Sequence, residues 1–216
     1  MDVSWRNVDV MVPNKGKSVS GKHAHLIKDC SGEARKGKVL AIMGPSGSGK
    51  TTLLKALVGR IPAGSKTKGV ILADGEEREL SEWIRKSGYV DQDDGVFETL
   101  TVYDTIMYAA KFRSSNQNNI ETQVENILKD LKIENIAYNK MNSISGGERK
   151  RTMIAIELVA DPDLIFLDEP TSGLDTYITV SFVKLLKEYA DKSGKTIVLT
   201  IHQPPQEAFQ CFDDLL

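Results

Sequence analysis

The chain has 216 residues, 40% hydrophobic and 27% charged, an ordinary globular composition long enough for one domain with a substantial core. With 28 basic and 30 acidic residues the net charge is -2, which leaves no electrostatic footprint for nucleic acid. The longest apolar runs, about five residues, fall far short of the ~20 a membrane-spanning helix needs; Met1-Asp2-Val3 begins no signal peptide, and two cysteines, Cys30 and Cys211, form no disulfide framework and fit a reducing compartment.

In chain order, Val8, Val10 and Val12 alternate with polar residues and predict a half-buried strand. Residues 13–23, with Lys15, Gly16, Lys17, Gly21 and Lys22, read as a polar, flexible loop, and His25–Cys30 as a second strand. His23 and His25 have no cysteine or carboxylate partner nearby in sequence, so they predict no metal site. Val39–Met43 is an apolar run of buried-strand length. It leads into Gly44-Pro45-Ser46-Gly47-Ser48-Gly49-Lys50-Thr51, which fits G-x-x-x-x-G-K-[ST], the phosphate-cradling P-loop. From Thr52 to Val58, Leu53, Leu54, Leu57 and Val58 fall at helical spacing, and Gly59 is placed to cap the helix end. A glycine loop between strand and helix lets backbone N–H groups turn inward around a phosphate chain, and the helix start adds partial positive charge. Lys50 can reach the β- and γ-phosphates and the Thr51 hydroxyl can bind Mg²⁺. Gly69–Ala73, closed by Asp74-Gly75, predicts a third strand. These strands imply a small antiparallel sheet beside an α/β core.

Ser87–Val90 reads as a short strand ending at Asp91-Gln92-Asp93-Asp94. Beyond it Tyr103, Ile106, Met107 and Ala110 share one helical face, 114–119 is a polar loop, and Ile120, Val124, Ile127, Leu128 and Leu131 mark a second amphipathic helix. Residues 93–158 are therefore expected to be a helical insertion between core segments 1–92 and 159–216. Ser145 and Glu148 form a capping box that opens a helix running to about Ala160. Gly146 and Gly147 in its first turn cost helix propensity. Arg149, Lys150 and Arg151 crowd a positive dipole end unless something anionic lies near, and a phosphate would satisfy both. Leu164–Leu167 is a buried strand that runs into Asp168-Glu169-Pro170, the pair of acids expected opposite a P-loop. Asp168 would hold Mg²⁺, and Glu169 would orient or deprotonate the attacking water. Ser172-Gly173-Leu174-Asp175 is a turn before a helix from about Tyr177 to Lys192, stopped by Gly194. Thr196–Ile201 is the next buried strand, and His202 stands at its end.

Over essentially its whole length the chain resembles the nucleotide-binding domain of an ABC transporter, an α/β P-loop ATPase. Gly44–Thr51 matches Walker A and Leu164–Asp168 matches Walker B. Ser145-Gly146-Gly147-Glu148 is similar to the LSGGQ signature, with Ile144 for Leu and Glu148 for Gln. Gln92 matches the Q-loop, Ser172–Asp175 the D-loop and His202 the switch histidine. Ser145–Arg151, Asp168–Asp175 and His202-Gln203-Pro204 resemble the White, or G, subfamily of half-transporters, whose ATPase domain precedes the membrane domain. The resemblance implies ATP and Mg²⁺ as cofactors. ATP would lie along Gly44–Thr52 and meet Ser145, Gly146, Gly147 and Glu148 of a second such domain, homo- or heterodimeric, arranged head to tail. Thr51, Gln92 and Asp168 would serve the metal, Glu169 and His202 the γ-phosphate, and Asp175 the link between the two sites. It also implies a membrane domain C-terminal to Phe212–Leu216, where a new apolar strand begins as the chain stops. The chain would then be a soluble fragment of a protein working at the cytoplasmic face of a membrane, exporting a lipid-like or small-molecule substrate.

One departure concerns the base. Where many ABC domains carry an adenine-stacking aromatic near the end of the first strand, this chain has Val12. Trp5, an odd number of residues earlier, should face the other side of a regular strand. Two other readings stand beside transport: a soluble ABC ATPase acting on ribosomes or DNA, which usually carries paired cassettes or long coiled-coil insertions, and a non-hydrolysing regulatory cassette, which typically lacks the base or the switch residue.

Overall fold

The computed structural model describes residues 1–14, 23–92, 95–114 and 119–216. The centres of the two expected polar loops, and Asp93-Asp94 after the Q-loop position, lie outside the described residues. The chain opens with β1 (Val3–Pro13) and β2 (His23–Ala34), then passes through β3 (Val39–Met43) into α1 (Lys50–Val58). It returns as β4 (Lys66–Ala73) and the short β5 (Glu76–Glu77), and α2 (Leu80–Lys86) leads to β6 (Ser87–Val90). Then come α3 (Val102–Arg113), α4 (Ile120–Asp130), α5 (Gly146–Leu158), β7 (Leu164–Leu167), α6 (Thr176–Ser193), β8 (Thr196–Ile201), α7 (Gln206–Phe209) and β9 (Asp214–Leu215).

The strands form two sheets. One is antiparallel, in the order β2-β1-β4-β5. The other is parallel, in the order β6-β7-β8-β3-β9. The parallel strands are short and apolar because both of their faces are covered. Val39 and Ala41 join a core shared with α3, α4, α5 and α6. Leu40 and Ile42, pointing the other way, join a second core with α1 and the antiparallel sheet. The P-loop strand is thus wedged between two cores, and burying a Leu or Ile side chain in each contributes ~1.5–3 kcal/mol.

Local chemistry sets the helix starts. Thr101 caps α3 by accepting from the Asp104 N–H at 3.0 Å, and Ser145 with Glu148 forms a complete capping box on α5. Asp175 caps α6 through the Ile178 N–H at 2.9 Å, and Gly194 ends that helix at φ 69°. Gly49 has no side chain with which to cap α1, so the first-turn N–H groups of that helix remain available to an anion.

Three readings of the N-terminal strands need correction. Both β2 and β4 begin earlier than their apolar residues indicate, since backbone pairing extends them through polar residues. Trp5 does not face away from the side of Val12. The pairing of β1 slips between Trp5 and Val8, where Asn7 is left-handed at φ 50°, donates from Nδ2 to Asp29 and gives its N–H to the Ser31 hydroxyl. This bulge resets the alternation, so Trp5, Val8 and Val10 all enter the second core, against which Val12 also packs. The indole lies on Gly32, where any Cβ would come within 2.5 Å of the ring. Finally, His25 does have a carboxylate partner: its Nε2 lies 2.8 Å from Asp9 Oδ1 across the β1–β2 pair, while His23 Nε2 lies 3.1 Å from the Gly64 carbonyl.

Candidate functional site

All strands of a parallel sheet point their C-terminal ends to the same edge, and here four such ends deliver the candidate residues. β3 runs into Gly44–Gly49, β6 reaches Gln92, β7 delivers Asp168 and Glu169, and β8 delivers His202.

The loop at 44–49 is shaped by its glycines. Gly49 sits at φ 98°, a conformation that side chains rarely adopt, and a Cβ there would lie 2.7 Å from Ile27 Cδ1 on β2. Gly47, at φ 78°, faces open space. Lys50 is buried, 7% exposed, yet keeps its charge satisfied. Its Nζ donates to the Gly44 carbonyl at 2.9 Å and the Pro45 carbonyl at 3.1 Å, and lies 3.8 Å from Glu169 Oε1.

Asp168 is buried at 1% exposure and is fixed at both oxygens. Its Oδ1 accepts from the Thr51 hydroxyl at 2.9 Å and the Thr200 hydroxyl at 2.8 Å, and its Oδ2 accepts from the Tyr89 phenol at 3.2 Å. Burial first, and then the charge of Asp168, push the Tyr89 phenol far up, so it remains a donor. Glu169 is left-handed at φ 46°. Its N–H goes to Thr200 Oγ1 at 2.8 Å, and its Oε2 accepts from Gln92 Nε2 at 3.4 Å. His202 Nε2 accepts the backbone N–H of Ser46 at 3.1 Å.

Hydrogen bonds therefore run from Thr51 through Asp168, Thr200 and Glu169 to Gln92, with Lys50 3.8 Å from Glu169, and the Ser46–His202 pair stands as a second group at the same sheet edge. A cleft of about 220 Å³ opens along it, lined by Glu169, Thr171, Ser172, Leu174, His202 and Gln203. A second, of about 300 Å³, lies on the other side of the loop, lined by Leu26, Ile27, Met43, Ser48, Gly49 and Lys50. The remaining candidates stand apart. Ser145 and Gly147 line a separate cleft between α5 and α6, Asp175 is occupied as the cap of α6, and Val12 is not among the described residues lining either cleft beside the loop.

The crowding of Arg149, Lys150 and Arg151 at the start of α5 does not call for a phosphate. The three cations find partners within the chain rather than waiting for an anion. Arg149 makes paired hydrogen bonds to Glu98 at 2.7 and 3.1 Å, Lys150 donates to the Gln92 carbonyl at 3.0 Å, and Arg151 donates to the Lys132 carbonyl at 3.2 Å. Glu148, whose carboxyl is held below its usual range chiefly by the Ser145 N–H, adds a negative charge in the first turn.

The geometry fits a nucleotide with a divalent cation. A buried ammonium, a glycine loop open at Gly47 and an uncapped helix start make a cradle for phosphates. Thr51 Oγ1 and Asp168 Oδ1 lie 2.9 Å apart. Adjacent ligands of an octahedron with bonds of ~2.0–2.1 Å stand about that far apart, and hydroxyl, carboxylate and amide oxygens are the donors Mg²⁺ prefers. The sequence reading missed Tyr89 and Thr200. Their only signal was a hydroxyl at or near the end of a strand that adjoins β7.

Comparison with known proteins agrees with this arrangement. Residues 27–172, well over half of the chain, match the family described as ABC transporter. Among curated proteins, ABC transporter G family member 13 of Arabidopsis thaliana is 41% identical over 100% of this chain and 32% of its own length. G family member 6 of the same plant is 40% identical over 99% of this chain and 30% of its own length. ABC transporter G family member STR2 of Medicago truncatula is 40% identical over 94% of this chain and 29% of its own length. The chain thus spans about a third of the length of the curated relatives it matches. Among the described residues no helix is long and apolar enough to cross a membrane. Walker-type loop, paired acids and strand-end histidine lie together on one sheet edge, and the family match covers the loop and the acids as far as Ser172, with the G family relatives aligning over nearly the whole chain: the chain belongs to the ABC transporter family, whose shared cassette is an ATPase, and it resembles the G subfamily.

Proposed function

We propose that this chain binds ATP with Mg²⁺ and hydrolyses it to drive export of a lipid-like or small-molecule substrate through a membrane domain of the same polypeptide. The observation that carries this reading is the direct contact between the two halves of the site, Thr51 from the phosphate loop and Asp168 from β7, 2.9 Å apart. Residues 93–158 form a helical subdomain set into the core, and the whole works at the cytoplasmic face of a membrane.

Each residue has a role that follows from its surroundings. Lys50 releases the Gly44 and Pro45 carbonyls to hold the β- and γ-phosphates, while the loop N–H groups and the start of α1 surround the rest of the chain of phosphates, as far as Thr52. Thr51, Asp168 and Gln92 would hold Mg²⁺, which would supply positive charge against the phosphate oxygens. Glu169 takes the proton of the attacking water at a carboxylate oxygen, and Gln92 steadies that carboxylate. His202, on the Ser46 N–H, faces the terminal phosphate. Ser145, Gly146, Gly147 and Glu148 meet the ATP of a second domain in a head-to-tail pair, and Asp175 joins the two sites. This reading of Ser145 rests on the resemblance and on the cleft at the start of α5, since the α5 cations are already paired.

Phosphate release from ATP, followed with purified protein and Mg²⁺, tests the proposal. Release in the native chain, lost in Lys50→Ala together with ATP binding, is expected, because that change removes a charge from the phosphates. Native protein that binds ATP without releasing phosphate would refute hydrolysis.

A further inference from the structure

We propose that Thr200 is a positioning residue, which locks the base Glu169 to Asp168 through one hydroxyl. The proposal rests on the reading of Glu169 as base given above. Thr200 is fully buried on β8, between β7 and β3. The register pairs Leu167 with Leu199 and Ile42 with Thr200, so Thr200 stands beside Asp168 on one side and the approach to the phosphate loop on the other. A hydroxyl has one hydrogen to give and lone pairs to accept with. Thr200 uses both: Oγ1 donates to Asp168 Oδ1 at 2.8 Å and accepts the N–H of Glu169 at 2.8 Å.

That second bond falls where the sheet ladder has stopped. The Asp168 N–H still pairs with the Val90 carbonyl at 3.0 Å, but at Glu169 the backbone turns left-handed and its N–H is taken by a side chain instead of a strand. A carboxylate hung on that turn points where the turn points. The turn is therefore held by Thr200 in the same contact that orients Asp168, so base and metal-side acid share one anchor. The Tyr89 phenol holds the other oxygen of Asp168, whereas the Glu169 N–H goes to Thr200, so Tyr89 does not take its place. A misplacement of the base by about 1 Å costs on the order of 10²-fold in rate.

Three substitutions separate this role from simple packing. Thr200→Val keeps the shape and removes the hydroxyl, Thr200→Ser keeps the hydroxyl, and Thr200→Ala removes the hydroxyl without any risk of overpacking. With purified protein, ATP and Mg²⁺, Thr200→Val is expected to lower kcat by about 10²-fold with KM within about threefold, and Thr200→Ser to restore kcat to within about threefold of wild type. Thr200→Ala should show the same kcat-selective loss, which covers the case of a Val variant that does not fold. In a Glu169→Gln background, adding Thr200→Val should change the residual rate by less than about threefold, because the anchored base no longer takes a proton and Asp168 keeps its bonds to the Thr51 and Tyr89 hydroxyls. A Thr200→Val or folded Thr200→Ala kcat near wild type, or a Thr200→Ser kcat as low as that of Thr200→Val, overturns the proposal while leaving Glu169 as the base. A Glu169→Gln variant that turns over at the native rate overturns the underlying reading, and the assignment of Thr200 falls with it.

Discussion

Replacing Glu169 by Gln removes one negative charge and almost no volume, and the site's geometry makes its consequences separable. The amide oxygen can still accept from Gln92, now at 3.4 Å from the carboxylate, so the side chain has reason to stay in place. Proton abstraction is lost, which is worth about 10²–10⁴ in kcat, or ~3–5 kcal/mol. Affinity should move the other way. The Glu169 carboxylate lies 3.8 Å from Lys50 Nζ, and with 27% of that side chain exposed the pairing is worth ~1 kcal/mol after screening. Neutralising it frees Lys50 for the phosphates and removes a like charge beside them, so ATP should bind about as tightly as to wild type or up to about fivefold tighter. Phosphate release gives kcat, and calorimetric titration in Mg²⁺ gives Kd. A kcat within about tenfold of wild type removes Glu169 from the role of base. Binding weakened by more than about tenfold would show that the carboxylate supports the resting site rather than competing for Lys50.

The other predictions concern assembly and base selectivity. Without nucleotide the chain should be largely monomeric, and ATP should shift Glu169→Gln toward a dimer, because ATP bound between two domains stabilises the pair by mass action; light scattering reads this, and a dimer equally populated without ATP contradicts it. Ser145→Arg should block that dimer while leaving single-site ATP binding nearly intact. Val12 offers an apolar contact but no π-face, and Trp5 is sealed in the core at 1% exposure, so binding should rest on the triphosphate with weak preference for ATP over GTP. Val12→Tyr should tighten ATP binding severalfold to tenfold, since a stacked base gains ~1–3 kcal/mol; strong ATP preference in wild type with no gain in the mutant, in paired ATP and GTP titrations, refutes the role given to Val12.

What could be read from the sequence follows a physical divide. β3, β6, β7 and β8 were legible to the residue: β3 and β7 are unbroken short apolar runs because both faces of the sheet are covered, β8 is such a run broken only by Thr196 and Thr200, and β6 is a short stretch closed by Asp91-Gln92. The phosphate loop, Asp168-Glu169 and His202 were legible because each sits where such a run stops. Features held by backbone pairing alone were not. β2 continues through Ser31, Gly32 and Glu33 with no apolar signature, and the Asn7 bulge depends on Asp29 and Ser31 across the hairpin. α2 was missed because Trp83 is its one buried side chain, leaving no stripe to find. The pairing of Arg149 with Glu98 joins residues 51 apart, a distance no local argument spans. Thr200 carried a faint signal, a polar residue in an apolar strand two places before His202, but Thr196 in the same strand carries it equally and spends its hydroxyl on the Met1 carbonyl.

The neighbours of β3 set the order in which the site can come into being. Both strands that flank it, β8 and β9, are translated long after it: the N–H of Val39 is taken by Asp213, 174 residues downstream. At roughly 5–20 residues per second, a ribosome leaves Val39–Met43 without its partners for about 9–35 s. The antiparallel hairpin of β1 and β2 and the P-loop helix are available early, but the sheet edge that grips phosphate is not. During that interval a wholly apolar strand of the site is an unpaired edge in a nascent chain, the situation in which aggregation and chaperone capture compete with folding. Substitutions in β8 or β9 that slow the final closure would then lower the yield of native protein even where the finished fold tolerates them.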